Sequence, residues 1–93
     1  MNTEFIILSH LLFSEEYSRK VLPFIKPEYF ESKANKTVYV LLSEFVNKYN
    51  KFPTKEALLI DLSNKTGINE QLFRESKETI IDINENAPTG VLF

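Results

Sequence analysis

The apolar residues of this chain recur at helical spacing along most of its length. In the clearest stretch, 32–49, they fall at i, i+3, i+4, i+7, i+8 and i+11, at Val38, Leu41, Leu42, Phe45, Val46 and Tyr49. This spacing places a broad apolar stripe along one side of a helix. Ser32 is a suitable N-cap, because its hydroxyl can accept a hydrogen bond from a free amide of the first turn. Tyr39 and Val40 widen the apolar face, so we expect other helices to cover this central helix on more than one side.

A strongly apolar helix is predicted at the start of the chain. Asn2 or Thr3 can cap it, and Glu4 is favourable near its positive end. Its apolar side chains form two neighbouring ridges and leave little polar surface, so we expect it to pack on two sides. These side chains are Phe5, Leu8 and Leu12 on one ridge and Ile7 and Leu11 on the next.

A second, shorter helix is predicted from the N-cap Ser14 to about Leu22. It should end there because Pro23 lacks an amide hydrogen and crowds the preceding turn. We expect Tyr17, Val21 and Leu22 to point inward.

The segment that leads to the central helix is rich in proline and aromatic residues. We expect Phe24 and Ile25 to remain packed after the proline. Pro27 suits the first position of a short turn, which should bring both Tyr29 and Phe30 into the core.

Two more helices are predicted after a connector at residues 50–53. Thr54 caps the first, whose apolar positions are Ala57, Leu58, Ile60 and Leu62, and Gly67 is expected to close it in the left-handed conformation. Asn69 caps the second, from Glu70 to about Asn84, with a buried face of Leu72, Phe73, Ile80 and Ile83, a gap filled by Ser76, and Ile81 at its flank.

The predicted fold is therefore all-α, a compact bundle of about five to six helices around the central one. A chain of 93 residues makes one domain, and we place its folded part at residues 1–86. Residues 87–93 are predicted to be a tail or the start of a linker or hairpin.

Charge and cysteine content argue against several classes of function. Eleven basic residues oppose thirteen acidic ones with alternating signs, and the net charge of −2 argues against a dedicated nucleic-acid-binding module. We therefore expect DNA contact to be weak or absent. Because the sequence has no cysteine, it can form neither disulfides nor thiolate metal sites. No signal peptide or membrane span is predicted. Together these features favour a reducing, cytoplasmic location.

No residue set for catalysis or for a cofactor is found in the sequence. His10 is the only histidine, and a polar contact on a helix face or in the core explains it better than metal binding. Glu15 and Glu16 follow the capping Ser14, where they complement the helix dipole. The two glycines lie far apart and form no phosphate-binding loop. We expect no catalytic, cofactor-binding or metal-binding residue in this chain.

A DNA-reading function is one alternative. The stretch 54–83 has the outline of a helix-turn-helix, so a stand-alone small DNA-binding regulator remains open. Its second helix would present to the groove the residues Glu70, Gln71, Arg74, Glu75, Lys77 and Glu78. Three carboxylates facing the phosphates oppose binding, because such affinity comes mainly from Lys and Arg.

Several aromatic residues lie at segment edges, namely Tyr17, Phe52 and Phe93. They either pack partly under loops or contribute to a protein-binding patch. With neighbouring exposed cations, the candidate partner surface comprises Tyr17, Arg19, Lys20, Phe52 and Lys55.

The order of these features resembles the N-terminal domain of DnaB-type replicative DNA helicases, in particular the branch of T-even-like bacteriophages. The resemblance covers about residues 4 to 83, and its motifs are packing and capping residues whose order and spacing are distinctive. They are Phe5-Ile-Ile-Leu-Ser-His-Leu-Leu-Phe13, Tyr17, Lys20-Val-Leu-Pro-Phe24, Pro27-Glu-Tyr-Phe-Glu-Ser32, Phe45-Val-Asn-Lys-Tyr49, Phe52-Pro-Thr54 and Ala57-Leu58.

The resemblance implies a compact, non-catalytic helical head at residues 1–86. In the full helicase, heads pair into a collar over a hexameric motor, which binds ATP and Mg²⁺, and the collar docks primase and in some systems a loader. The implied partners are thus other helicase heads, primase and possibly a helicase loader, in the cytoplasm of the bacterial host. We expect neither ATPase nor unwinding activity from this chain alone. A free-standing mimic of a helicase head is a further alternative.

Overall fold

Five α-helices and two 3₁₀ turns form residues 3–83, the part of the chain that the computed structural model describes. They are α1 (Thr3–Phe13), α2 (Glu15–Val21), the 3₁₀ turns Leu22–Phe24 and Pro27–Tyr29, α3 (Lys33–Tyr49), α4 (Lys55–Asn64) and α5 (Glu70–Asp82). Helix α3 packs against α1, α4, α5 and the second 3₁₀ turn, while α2 packs against α1. The predicted all-α bundle around a central helix is confirmed.

The helix starts follow from their capping residues. The side-chain oxygens of Ser14, Ser32, Thr54 and Asn69 each accept a hydrogen bond from the backbone amide three residues later, at 3.4, 3.2, 3.1 and 2.7 Å. Each bond satisfies an amide that has no partner within its helix. All four of these predicted caps are confirmed.

The core lies where α1, α4 and α5 meet α3. The side chains of Leu8, Leu11, Val38, Leu42, Leu58, Leu62 and Ile80 are almost completely excluded from solvent. Phe30, Tyr39, Leu41 and Ile83 extend the same cluster. Burying a Leu, Ile or Val side chain contributes about 1.5–3 kcal/mol, so this cluster is the main source of stability.

Two predictions for the segment between α2 and α3 are wrong. Phe24 is 77% exposed and Tyr29 is 61% exposed, although both were expected to pack. Tyr29 is the last residue of the 3₁₀ turn and Phe30 is its C-cap, where the backbone becomes extended, so the two adjacent side chains point in different directions. Phe30 faces the core, and its ring stacks on that of Tyr39 with centroids 5.1 Å apart.

Other predicted apolar positions also face solvent. Tyr49 is 51% exposed, at the edge of a shallow pocket between the last turn of α3 and the end of α4. Ile60 is 60% exposed, since it lies about 200° around α4 from the buried Leu58. Ile81, which was expected at the flank of the buried face of α5, is 51% exposed.

The glycine turn between α4 and α5 differs in detail from the prediction. Gly67 has a positive φ of 84°, as expected, but α4 already ends at Asn64, with an extended Lys65 as its C-cap. The left-handed residue that does end a helix is Asn50, with φ 54°, after α3. Helix α5 ends at Asp82, and the predicted extension to Asn84, like the tail at 87–93, lies outside the described residues.

No helix between residues 3 and 83 is both long enough and apolar enough to cross a membrane.

Candidate functional site

A groove of about 540 Å³ runs between the proline-rich turns, the second half of α3 and the connector to α4. It is lined mostly by apolar and aromatic side chains, and Arg19 is the only charged lining residue among residues 3–83. The lining residues are Arg19, Leu22, Pro23, Ile25, Pro27, Tyr39, Ser43, Val46, Asn47 and Phe52. Apolar walls with a few polar groups at the edge are typical of a binding site for another molecule.

The floor of the groove is held in place by Tyr39. Its hydroxyl donates a hydrogen bond to the backbone carbonyl of Ile25 at 2.7 Å, which fixes the first 3₁₀ turn against α3. Burial raises the pKa of Tyr39 above its ordinary value, and Glu28 raises it further, while a hydrogen bond with Ser43 opposes the shift. The phenol is therefore neutral at physiological pH and available as a donor.

One wall of the groove is formed by Arg19 and Phe52. The guanidinium carbon of Arg19 lies 5.3 Å from the centroid of the Phe52 ring, which is the geometry of a cation–π contact. Arg19 also forms an ion pair with Glu15, with a nitrogen–oxygen distance of 2.8 Å, on the outer surface of α2. Because a guanidinium has five N–H groups, donors remain for a ligand at the edge of the groove.

The structure places the five predicted partner-surface residues at different locations. Arg19 and Phe52 come together at the groove, whereas Tyr17, Lys20 and Lys55 do not line it. Tyr17 is half-buried beside His10, with ring centroids 5.9 Å apart, and burial raises the pKa of its phenol. This contact is consistent with the core role expected for His10, which is itself buried.

The two lysines of that set have local partners. Lys20 forms an exposed ion pair with Glu16 at 3.4 Å. The ammonium of Lys55 donates to the backbone carbonyls of Ile81 and Ile83, at 2.5 and 3.0 Å, and so caps the end of α5. A role in partner binding stays a prediction for all five residues.

Sequence reasoning missed the two most exposed aromatic side chains of this region, Phe24 and Tyr29. Each lies on a 3₁₀ turn that has a proline at its start, next to residues that line the groove. A proline fixes the backbone, so these rings are presented with little loss of conformational freedom. In the sequence, the Pro-Phe and Pro-Glu-Tyr segments could have indicated that these two rings lie on exposed turns.

A larger depression, of about 850 Å³, lies between the start of α3 and α5. Its α5 wall is acidic, with the carboxylates of Glu75, Glu78 and Asp82, and Lys33 lies opposite. It is more open and more polar than the groove beside Arg19. Within residues 3–83, no group of three or more His, Cys, Asp or Glu side chains is arranged to hold a metal ion. The groove beside Arg19 is therefore the better candidate site for a macromolecular partner.

The outer surface of α5 is unfavourable for the DNA-reading alternative. Glu70, Glu75 and Glu78 are exposed there, and Arg74 forms an ion pair with Glu70 at 3.2 Å. A duplex docked on this helix would bring its phosphates close to carboxylates, which opposes binding.

Comparison with known proteins gives one informative relationship. No protein-family model matches the chain. Over 61 residues, or 66% of its length, the chain is 43% identical to a DnaB-like replicative helicase of Enterobacteria phage T4. The matched chain spans only 13% of the length of that helicase. The predicted resemblance to the DnaB-type replicative helicases of T-even-like phages is therefore confirmed, as a similarity to one part of such a protein.

Proposed function

We propose that this chain is the N-terminal head of a phage hexameric replicative DNA helicase, serving collar assembly and the docking of primase or a loader. The observation that carries the proposal is the 43% identity over 61 residues to a DnaB-like replicative helicase. The described residues form one hydrophobic core and so one all-helical domain. A match of 61 residues covers more than half of that domain.

The surface of the domain supports a docking role. A groove lined by apolar and aromatic side chains lies beside two exposed aromatic rings on proline-rich turns. Aromatic residues and arginine are enriched at the centres of protein interfaces. In this proposal the motor part of the helicase binds ATP and Mg²⁺, and the head contributes surfaces rather than chemistry, in the cytoplasm of the bacterial host.

The test is a capture experiment with the full chain immobilised and the purified primase of the same phage in solution. We expect capture that survives moderate salt, because an apolar groove contributes more than exposed charges. The helicase and the loader are tested in parallel, and the mass of the free chain in solution shows whether heads associate. Absence of capture of primase, helicase and loader at every salt concentration would refute the docking role.

A salt-titrated fluorescence assay with duplex and single-stranded DNA separates this proposal from the DNA-binding regulator. We expect weak binding or none. Tight binding that falls steeply with salt would instead favour the regulator, because such a slope reports counterions released from phosphates.

A further inference from the structure

We propose that the groove beside Arg19 binds a short, extended, acidic segment of a partner protein that carries one or two large apolar side chains. This inference rests on the proposed function, because it names the chemistry of the docking partner. The occupant is a peptide segment, with its apolar side chains between the proline-rich turns and α3 and its carboxylates at the rim.

The shape and lining of the groove define the apolar part of the ligand. The apolar lining includes Leu22, Pro23 and Ile25 from the first 3₁₀ turn and its end, Val46 from α3, and Phe52 from the connector. Its volume of about 540 Å³ exceeds what a single side chain fills and lies in the range of grooves that hold a small ligand or a few residues. The wall is already ordered by the Tyr39–Ile25 hydrogen bond at 2.7 Å, so little ordering is needed on binding.

The charges at the rim define the polar part. Arg19 lines the groove, and Lys26 and Lys51 are exposed neighbours of the lining residues Ile25 and Phe52. Glu28, which follows the lining residue Pro27, carries the opposite charge. Glu15 forms an ion pair with Arg19. Within residues 3–83, Arg19, Lys20 and Arg74 form ion pairs, whereas Lys26 and Lys51, which do not line the groove, form none.

The contact between Arg19 and Phe52 adds specificity for a carboxylate. The guanidinium carbon lies 5.3 Å from the centroid of the Phe52 ring, and a guanidinium held in place can donate two parallel hydrogen bonds to one carboxylate. The depression between α3 and α5 has the opposite character, because Glu75, Glu78 and Asp82 would repel the same segment. The two sides of the domain therefore discriminate between acidic and basic partners.

The test measures binding of a fluorescein-labelled synthetic peptide, Ser-Asp-Leu-Asp-Phe-Asp-Ser, to the full chain by fluorescence anisotropy. Amide chemical shifts locate the site. Three further probes are compared: the peptide with Lys in place of Asp, the peptide with Ser in place of Leu and Phe, and an oligothymidine of equal charge. We expect binding of the first peptide only, with shift changes around Phe52 and Ile25.

Two substitutions and a matched control examine the site. Arg19→Ala should weaken binding about tenfold, the loss of one charge-assisted contact. Arg74→Ala removes an arginine that pairs with a glutamate four residues earlier in the same way, but away from the groove, and should change binding less than about twofold. Asn47→Trp fills the groove from an exposed position of α3 and should abolish binding.

Several results would overturn the inference. They are equal weakening by Arg19→Ala and Arg74→Ala, equal binding of the lysine peptide, tighter binding of oligothymidine, or no binding of the acidic peptide by the folded chain. Capture of primase or helicase that Asn47→Trp leaves unchanged would also overturn it, while the proposed function would stand. Loss of that capture on Asn47→Trp, with Arg74→Ala unaffected, supports both.

Discussion

The carboxylate of Glu4 accepts a hydrogen bond from the side-chain amide of Asn35 at 2.9 Å. Its oxygens also accept from the backbone amides of Glu31 and Ser32, at 2.9 and 3.4 Å. A residue of α1 thus places negative charge at the N-terminus of α3, where the helix dipole favours it. The start of the chain is joined to the central helix at this point.

The Glu4 cluster should make stability depend on acid pH. Burial acts to raise the pKa of this carboxyl, but hydrogen bonds from Asn35, Glu31 and Ser32 outweigh it, and the pKa is lowered from 4.5. A group whose pKa is lower in the folded state stabilises the fold above its unfolded pKa, and this contribution is lost as pH falls through the folded value. Glu4→Gln should therefore lower the free energy of unfolding by about 1 kcal/mol at neutral pH, and the difference from wild type should shrink below pH 4.5.

Urea unfolding at a series of pH values measures this effect. Glu44→Gln is the control, because Glu44 is an exposed carboxylate in the middle of α3. Its curve should run parallel to that of the wild type. A difference for Glu4→Gln that stays constant down to strongly acid pH would contradict the assignment.

Tyr39→Phe should destabilise the domain without removing its ring. The substitution deletes the 2.7 Å hydrogen bond to Ile25 but keeps the stacking on Phe30. We expect a loss of about 1 kcal/mol in the free energy of unfolding, the usual net value of one buried hydrogen bond. Tyr29→Phe is the matched control, since Tyr29 is 61% exposed and should change stability by less than about 0.5 kcal/mol. Equal effects of the two variants in denaturant titration would argue against the role of the hydroxyl.

Lys55→Met should loosen the end of α5 selectively. The ammonium donates to the carbonyls of Ile81 and Ile83 at the end of α5, and methionine keeps most of the aliphatic stem. We expect faster hydrogen exchange in the last turn of α5 and a loss of about 1 kcal/mol in stability. Lys36→Met, at an exposed position of α3, should leave exchange in α5 unchanged. Unaltered exchange in Lys55→Met would show that water replaces the cap.

The buried serines should differ in how loss of the hydroxyl group changes stability. The Oγ atoms of Ser18 and Ser76 are buried without a hydrogen-bond partner among the described residues, whereas Ser9 Oγ donates to the carbonyl of Phe5 at 3.0 Å. An unpaired buried polar group costs about 1–3 kcal/mol, so Ser18→Ala and Ser76→Ala should be neutral or stabilising. Ser9→Ala should be neutral or destabilising in the same thermal unfolding measurement. Marked destabilisation by Ser76→Ala would instead reveal a partner for its hydroxyl.

The fold was largely predictable from sequence because its determinants are local. A cap such as Ser32 or Asn69 acts within one turn, and the spacing of Val38, Leu41 and Leu42 is a property of one helix. The errors concern residues whose burial depends on neighbouring elements. Nothing within α3 shows that Tyr49 lies at the edge of the contact with α4, and nothing within residues 27–30 decides which aromatic ring turns inward.

The candidate site was less predictable for the same reason. Arg19 and Phe52 lie far apart in sequence, and only the packing of α2 beside the connector brings them into contact. Exposure of charged and aromatic residues was enough to select both, but the same criterion also selected Lys55, whose charge caps α5. A lysine that binds carbonyls and one that faces a partner look alike in sequence.

The central position of α3 affects how the domain unfolds as well as how its helices pack. Helices α1, α4 and α5 all pack on it, while α4 also packs on α5 and α2 on α1, so α3 joins two helix pairs into one core. Separation of either pair from α3 would therefore expose much of this core at once. The described domain should behave as a single cooperative unit, with fluorescence and circular dichroism reporting one coincident transition.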